Sequence, residues 1–278
     1  MGVRRAVELA RAEAERPAGK VYTLGPLIHN PQALEDLGRL GIESLDESEL
    51  PENLDGASVI IRAHGISPQI EKELRKRRAA VTDATCPRVK ASQLKAAALA
   101  KAGYRLFLAG EESHAEIAGI KGYAETAAGC LPLVINSAPE AEKAAAELRR
   151  EDPAAKTALI GQTTISRDEY GAIGAAIARF FPEIEIIQTI CPATAERQDS
   201  LRELLEKAGA VIVAGGKGSA NSRRLLAIAE AAGKPCALVE RAADIPPRFY
   251  GYEFVGLAAG ASTPDSVIDE ITLALESK

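Results

Sequence analysis

Cys86-Pro87, an Ala-rich helical run, Gly103-Tyr-Arg-Leu-Phe-Leu-Ala-Gly110, and a polar loop holding His114 and Glu116 form a layout that occurs twice. Cys191-Pro192 is followed in the same order by a helical run, Gly209-Ala-Val-Ile-Val-Ala-Gly-Gly216, and a loop holding Ser219 and Asn221. His114 and Ser219 each stand 28 residues after their cysteine, and Glu116 and Asn221 each stand 30 after it. A third copy starts the chain. Residues 2–16 read as an amphipathic helix, followed by Lys20-Val-Tyr-Thr-Leu-Gly25 and a polar loop with His29. A cysteine directly before Met1 would stand 29 residues from His29 and complete the set.

The second half of each copy repeats as well. Ser58-Val-Ile-Ile-Arg-Ala63 runs into His64-Gly-Ile-Ser67, Lys156-Thr-Ala-Leu-Ile160 into Gly161-Gln-Thr-Thr164, and Phe254-Val-Gly-Leu-Ala258 into Ala259-Gly-Ala-Ser262. Each is a short apolar run that ends in small polar residues before a helix start. Ser67-Pro68 and Thr263-Pro264 place a cap ahead of a first-turn proline, and Ser166 with Glu169 fits a capping box. A period near ninety residues suits three α/β units rather than a solenoid. Their expected bounds are 1–85, 86–187 and 188–278, the third without its first strand. Strands alternating with helices imply parallel sheets, whose ligands gather at the carboxyl ends of the strands.

Composition narrows the function. The 278 residues are 46% hydrophobic, enough for sizeable cores. A net charge of −5 and a pI near 5.5 argue against a general nucleic-acid binder. Basic runs such as Arg75 to Arg78 read as solvated helix faces. No apolar run approaches the roughly 18 residues of a membrane span, and the first residues lack the apolar core of a secretion signal. Four cysteines without such a signal fit reduced thiols in a cytoplasm.

Cys130 and Cys236 open short apolar runs and read as core thiols. Cys86 and Cys191 differ, because each precedes a proline at a helix start, where dipole and free N–H groups favour the metal-binding thiolate. The chain has three histidines, and His29, His64 and His114 all fall in loops after strands. Around them in the repeat stand Glu116, Thr163, Thr164, Ser219, Asn221 and Ser262. Imidazoles, hydroxyls and helix N-termini together suit a phosphate or diphosphate. A carboxylate two residues from a histidine is a candidate proton donor.

These residues carry a resemblance that covers essentially the whole chain. Gly-Val-Arg-Arg-Ala at 2–6, Ile28-His29-Asn30, Ala63-His64-Gly65, Asp83-Ala-Thr-Cys-Pro87, His114-Ala-Glu116, Gln162-Thr-Thr164, Cys191-Pro-Ala-Thr194, Ser219-Ala-Asn-Ser222 and Gly260-Ala-Ser262 resemble the 4-hydroxy-3-methylbut-2-enyl diphosphate reductase family. The resemblance implies three α/β domains in a pseudo-threefold trefoil around a 4Fe–4S cluster held by three cysteines. Cys86 and Cys191 match two of those ligands. His29, His64, Ser219, Asn221 and Ser262 match groups around the substrate diphosphate. His114 and Glu116 match the proton-delivery part, with Glu116 the donor to the leaving hydroxyl, Thr163 the hydroxyl that orders it, and Thr194 in the turn near the cluster.

The implied reaction is a two-electron reductive dehydroxylation that gives isopentenyl or dimethylallyl diphosphate. With no nicotinamide fingerprint, the electrons are expected from a ferredoxin or flavodoxin. The chain departs from the family pattern at Ala115, where proline is usual, and at Ala220, where serine is common. The family's first cluster cysteine, with a short strand before it, belongs just ahead of Met1. Two alternatives stay open: a cluster-free diphosphate-binding relic, and another trefoil iron–sulfur enzyme of the quinolinate synthase type. A diacid substrate of the latter would call for arginine where this chain has histidines.

Overall fold

The computed structural model describes residues 2–16 and 19–277. In chain order it runs α1 (Gly2–Ala14), β1 (Val21–Leu24), α2 (Pro31–Arg39), β2 (Ile42–Leu45), β3 (Ser58–Ile61), α3 (Pro68–Lys76), β4 (Ala80–Asp83) and α4 (Pro87–Lys101). It continues with β5 (Arg105–Ala109), α5 (Ala115–Ala128), β6 (Leu133–Ile135), α6 (Ala138–Glu151), β7 (Thr157–Gly161), α7 (Arg167–Ala178) and β8 (Glu185–Ile186). The remainder is α8 (Pro192–Lys207), β9 (Ala210–Ala214), α9 (Ala220–Ala231), β10 (Cys236–Val239), β11 (Val255–Ala259) and α10 (Asp265–Glu276).

The strands form three parallel sheets, in the orders β2-β1-β3-β4, β6-β5-β7-β8 and β10-β9-β11. The chain groups into two compact units. One comprises the residues up to Leu27 with Leu37–Ile190 and holds the first two sheets; the other comprises Ile28–Asp36 with Cys191–Lys278 and holds the third.

The apolar runs become central strands because both of their faces are covered. In β5, Phe107 and Ala109 point into one cluster with Leu148, Ile173 and Phe181, while Leu106 and Leu108 point into another with Leu99, Ile117 and Ile120. In β9, Ile212 and Ala214 join Phe249 and Ile271, while Val211 and Val213 join Leu201 and Leu225. The period-2 alternation thus feeds two helix layers, and each fully buried aliphatic or aromatic chain contributes about 1.5–3 kcal/mol. Tyr170 reaches across in the first unit, its hydroxyl within hydrogen-bond distance of the Leu159 and Ile187 carbonyls at 2.9 and 2.7 Å. Burial pushes this phenol well above its ordinary range.

Most of the expected caps are present. The Ser67 hydroxyl accepts from the Ile70 N–H ahead of Pro68, and Ser166 with Glu169 forms a complete capping box. Thr263 behaves differently. Its Oγ1 donates to the Ala214 carbonyl at 2.8 Å, fastening the turn after β11 to the end of β9, so α10 starts one residue later at Asp265. The basic run breaks too: α3 ends at Lys76, and Arg78 turns into β4 at φ 64°. Cys130 and Cys236 are half-buried and pack against the edges of core clusters, Cys130 from the turn into β6 and Cys236 from the edge strand β10. Burial, aided by Glu230, still pushes the Cys236 thiol up.

Candidate functional site

Every candidate side chain follows the carboxyl end of a strand or opens the helix beyond it. His64 follows β3, His114 and Glu116 follow β5, Thr163 follows β7, and Cys86 follows β4, all in the first unit. His29 follows β1, Ser219 and Asn221 follow β9, Ser262 follows β11, and Cys191 opens α8; these belong to the second unit.

In the first unit His114 is the N-cap of α5, and its Nδ1 accepts from the Glu116 N–H at 3.2 Å. An accepting Nδ1 carries no proton, which puts the proton of the neutral ring on Nε2 as a donor. The His64 ring stands edge-on to it, with centroids 5.2 Å apart and an interplanar angle of 86°. Glu116 is buried, 1% exposed, and its two oxygens are held by Thr163: Oε1 by the backbone N–H at 2.7 Å and Oε2 by the hydroxyl at 3.0 Å. The carboxyl group therefore has one fixed orientation, at the positive pole of α5.

Cys86 is braced from several sides. It is the half-buried N-cap of α4, has Pro87 in the first turn, and makes no side-chain cap bond. Its N–H donates to the Ala63 carbonyl at 2.9 Å, next to His64. Asp83 accepts from the Thr85 N–H at 2.9 Å and pairs with Lys90 at 3.1 Å, while Arg5 donates to the Thr85 carbonyl at 3.1 Å. Burial works against ionisation of Asp83, but its bonds to Thr85 and Lys90 outweigh this and hold the carboxyl below its usual range. Helix α1 comes so close that a Cβ on Gly2 would stand 2.5 Å from Cys86 Sγ. The buried Glu13 fixes α1 there by accepting from Ser58 and Thr82 at 3.1 and 3.0 Å.

In the second unit Ser219 caps α9, its hydroxyl oxygen accepting from the Ser222 N–H at 3.3 Å, so its own proton remains to be donated. Asn221 is 4% exposed, and among the described residues neither end of its amide has a partner. No acidic residue stands in the first turn of α9. The Ser262 hydroxyl lies 3.4 Å from the His29 carbonyl, too long for a strong bond. The His29 backbone also packs on Gly216, where a Cβ would stand 2.2 Å from the His29 oxygen. Hydroxyl protons, an amide without a partner and a helix N-terminus on one unit are groups able to donate to an anion. Cys191 mirrors Cys86 as the half-buried N-cap of α8, with Pro192 beside it and no cap bond.

The LytB protein family matches residues 1–276. The chain belongs to that family. Among its relatives is the 4-hydroxy-3-methylbut-2-enyl diphosphate reductase of Treponema denticola, 43% identical over 97% of this chain and 93% of that protein. The protein of the same description from Aquifex aeolicus is 38% identical over 97% of this chain and 90% of its own length. The solved E-1-hydroxy-2-methyl-but-2-enyl-4-diphosphate reductase of Plasmodium falciparum superposes with a TM-score of 0.89 at 27% identity, covering 98% of this chain and 83% of that one. A solved (E)-4-hydroxy-3-methyl-but-2-enyl diphosphate reductase gives a TM-score of 0.69 at 36% identity, covering all of this chain and 95% of that one. Among the described residues of this LytB chain, no helix is long and apolar enough to cross a membrane.

Sequence reasoning missed the brace around Cys86, formed by Arg5, Asp83 and Lys90. Its signal was present, since Asp83 and Thr85 lie inside the Asp83-Ala-Thr-Cys-Pro87 motif that marks the family.

Proposed function

We propose that this protein catalyses the two-electron reductive dehydroxylation of 4-hydroxy-3-methylbut-2-enyl diphosphate. The observation that carries this reading is the buried Glu116, both oxygens fixed by Thr163 and its own N–H bound by His114, in a chain of the LytB family. In the balanced reaction an allylic C–O bond breaks, two electrons and two protons are taken up, and water leaves with isopentenyl or dimethylallyl diphosphate.

Cys86 and Cys191 fit a thiolate-bound group. Both sulfurs sit at positive helix poles, unused for capping, with no acid in the first turn. They would supply two of the thiolates that hold a 4Fe–4S cluster, which when bound supplies single electrons and a Lewis-acidic iron. The electrons come from a small carrier of the ferredoxin or flavodoxin type.

The chain's own groups do the rest. Ser219, Asn221, His29, His64 and Ser262 bind the diphosphate through hydroxyl, amide and imidazole donors. Glu116 delivers a proton to the departing hydroxyl, and Thr163 holds the carboxyl in line by donating to both of its oxygens. His114 keeps Nε2–H as a donor because its Nδ1 is committed to the helix, and the edge-on His64 ring limits its rotation.

Anaerobically reconstituted protein, given the allylic diphosphate and a reduced viologen, is expected to consume two electrons per product formed. It should release both isomers with one water. Reconstituted protein that binds the diphosphate but yields neither isomer overturns the reading in favour of a binding protein. Cys86→Ser and Cys191→Ser should each lower bound iron, whatever the activity.

A further inference from the structure

Helix α4 turns its hydropathy inside out at one point. Leu94 is 55% exposed, whereas its neighbour Gln93 is wholly buried. Among the described residues, neither Oε1 nor Nε2 of Gln93 has a hydrogen-bond partner. The buried Glu13 and Glu116 in the same unit are bound by Ser58, Thr82 and Thr163. An unpaired amide in the interior costs stability that an apolar side chain of equal length would not.

Two glycines make room for this amide. A Cβ on Gly65, which stands at φ +74°, would come 2.4 Å from Gln93 Nε2, and a Cβ on Gly119 would come 2.7 Å from the same atom. Gly65 directly follows His64. Gly119 lies inside α5, the helix capped by His114 and carrying Glu116, where glycine is itself a poor helix residue. The Nε2 thus occupies the gap between the His64 loop and the first turns of the His114 helix. Gln93 also stands seven residues, two helical turns, after Cys86, and a buried Gln198 repeats that offset after Cys191.

We propose that Gln93 is a positioning residue whose carboxamide, lodged between Gly65 and Gly119, sets the His64 and His114 rings against each other. It acts through the backbone on either side and touches no reacting atom. The idea rests on reading His64 and His114 as working groups, but its test does not require turnover.

With three histidines in the chain, imidazole nitrogens in labelled full-length protein resolve into three sets of signals. Gln93→Met keeps the length and removes the polar atoms. It should raise the melting temperature or leave it unchanged, and should shift the Nδ1/Nε2 tautomer signals of His64 and His114. Backbone amide signals of β9 and β10 should stay in place as the internal reference. Gly119→Ala keeps the amide but crowds it, and should move the same two histidines if the Met variant folds poorly. Unmoved His64 and His114 signals in both variants would reduce Gln93 to packing and overturn the proposal.

In reconstituted protein, Gln93→Met should lower kcat at least tenfold with KM within twofold. Shifted imidazoles with unchanged kcat would uphold the positioning by Gln93 and instead overturn the catalytic reading of the two histidines.

Discussion

Replacing Glu116 by Gln separates the proton from the scaffold. The carboxylate accepts two hydrogen bonds from Thr163, at 2.7 and 3.0 Å, in a site with 1% exposure. Even for an ionised carboxylate, whose hydrogen bonds contribute about 1.5–3 kcal/mol each against about 0.5–1.5 for neutral ones, the two lose about 2 kcal/mol together, and a protonated acid loses less. Relief of a buried charge opposes that loss. For a chain of this size each kcal/mol moves the melting temperature by about 2–4 °C, so it should fall by less than about 8 °C. The fold therefore survives.

Turnover should respond far more. Removing a positioned general acid lowers rates by about 10²–10⁴, or roughly 3–5.5 kcal/mol in the barrier. Single-turnover measurements at saturating reductant isolate C–O cleavage from electron delivery, while calorimetry in parallel records the melting. A cleavage rate equal to wild type in a Gln variant that melts a few degrees lower would refute the reasoning. Glu116 would then be a tether for Thr163.

Two further outcomes follow from the geometry. Asn221→Ala removes an amide with no partner among the described residues, so stability without ligand should hold or rise, while calorimetry should show affinity for the allylic diphosphate weakened by about 10- to 150-fold; unchanged affinity would remove Asn221 from the diphosphate site. Asp83 has a depressed folded pKa, so its contribution is present above the ordinary carboxylate range and is lost as pH falls through the folded value; wild type should melt above Asp83→Asn at neutral pH, and a gap that fails to close below about pH 4 would show that the brace does not depend on the charge.

Much of this was readable from residue spacing, for a physical reason. The shared offset of 28 marks a strand, a loop and the first cap of the next helix, and His114 and Ser219 are indeed the N-caps of α5 and α9. Side chains that hold a helix N-terminus at a strand end are fixed by local geometry, so a count along the chain finds them. Thr263 escaped that logic because a carbonyl at the end of β9, invisible to local pattern, competes for its hydroxyl. Gln93 escaped it because hydropathy assigns Gln to water and Leu94 to the core, and packing against Gly65 and Gly119 reverses both. His29 was legible as a loop residue after β1, but not as a member of the unit built from residues 191–278.

That membership sets a timetable for synthesis. The His29 carbonyl meets the Ser262 hydroxyl across 233 residues of chain. At about 5–20 residues per second, a ribosome needs roughly 10–50 seconds to deliver the partner. Throughout that interval the segment from Ile28 to Asp36 has emerged while the rest of its unit is unmade, and Ile28, 2% exposed in the finished protein, has nowhere native to go. Nascent chains halted anywhere between about residues 70 and 260 should therefore bind chaperones and aggregate, whereas full-length product released on time should not.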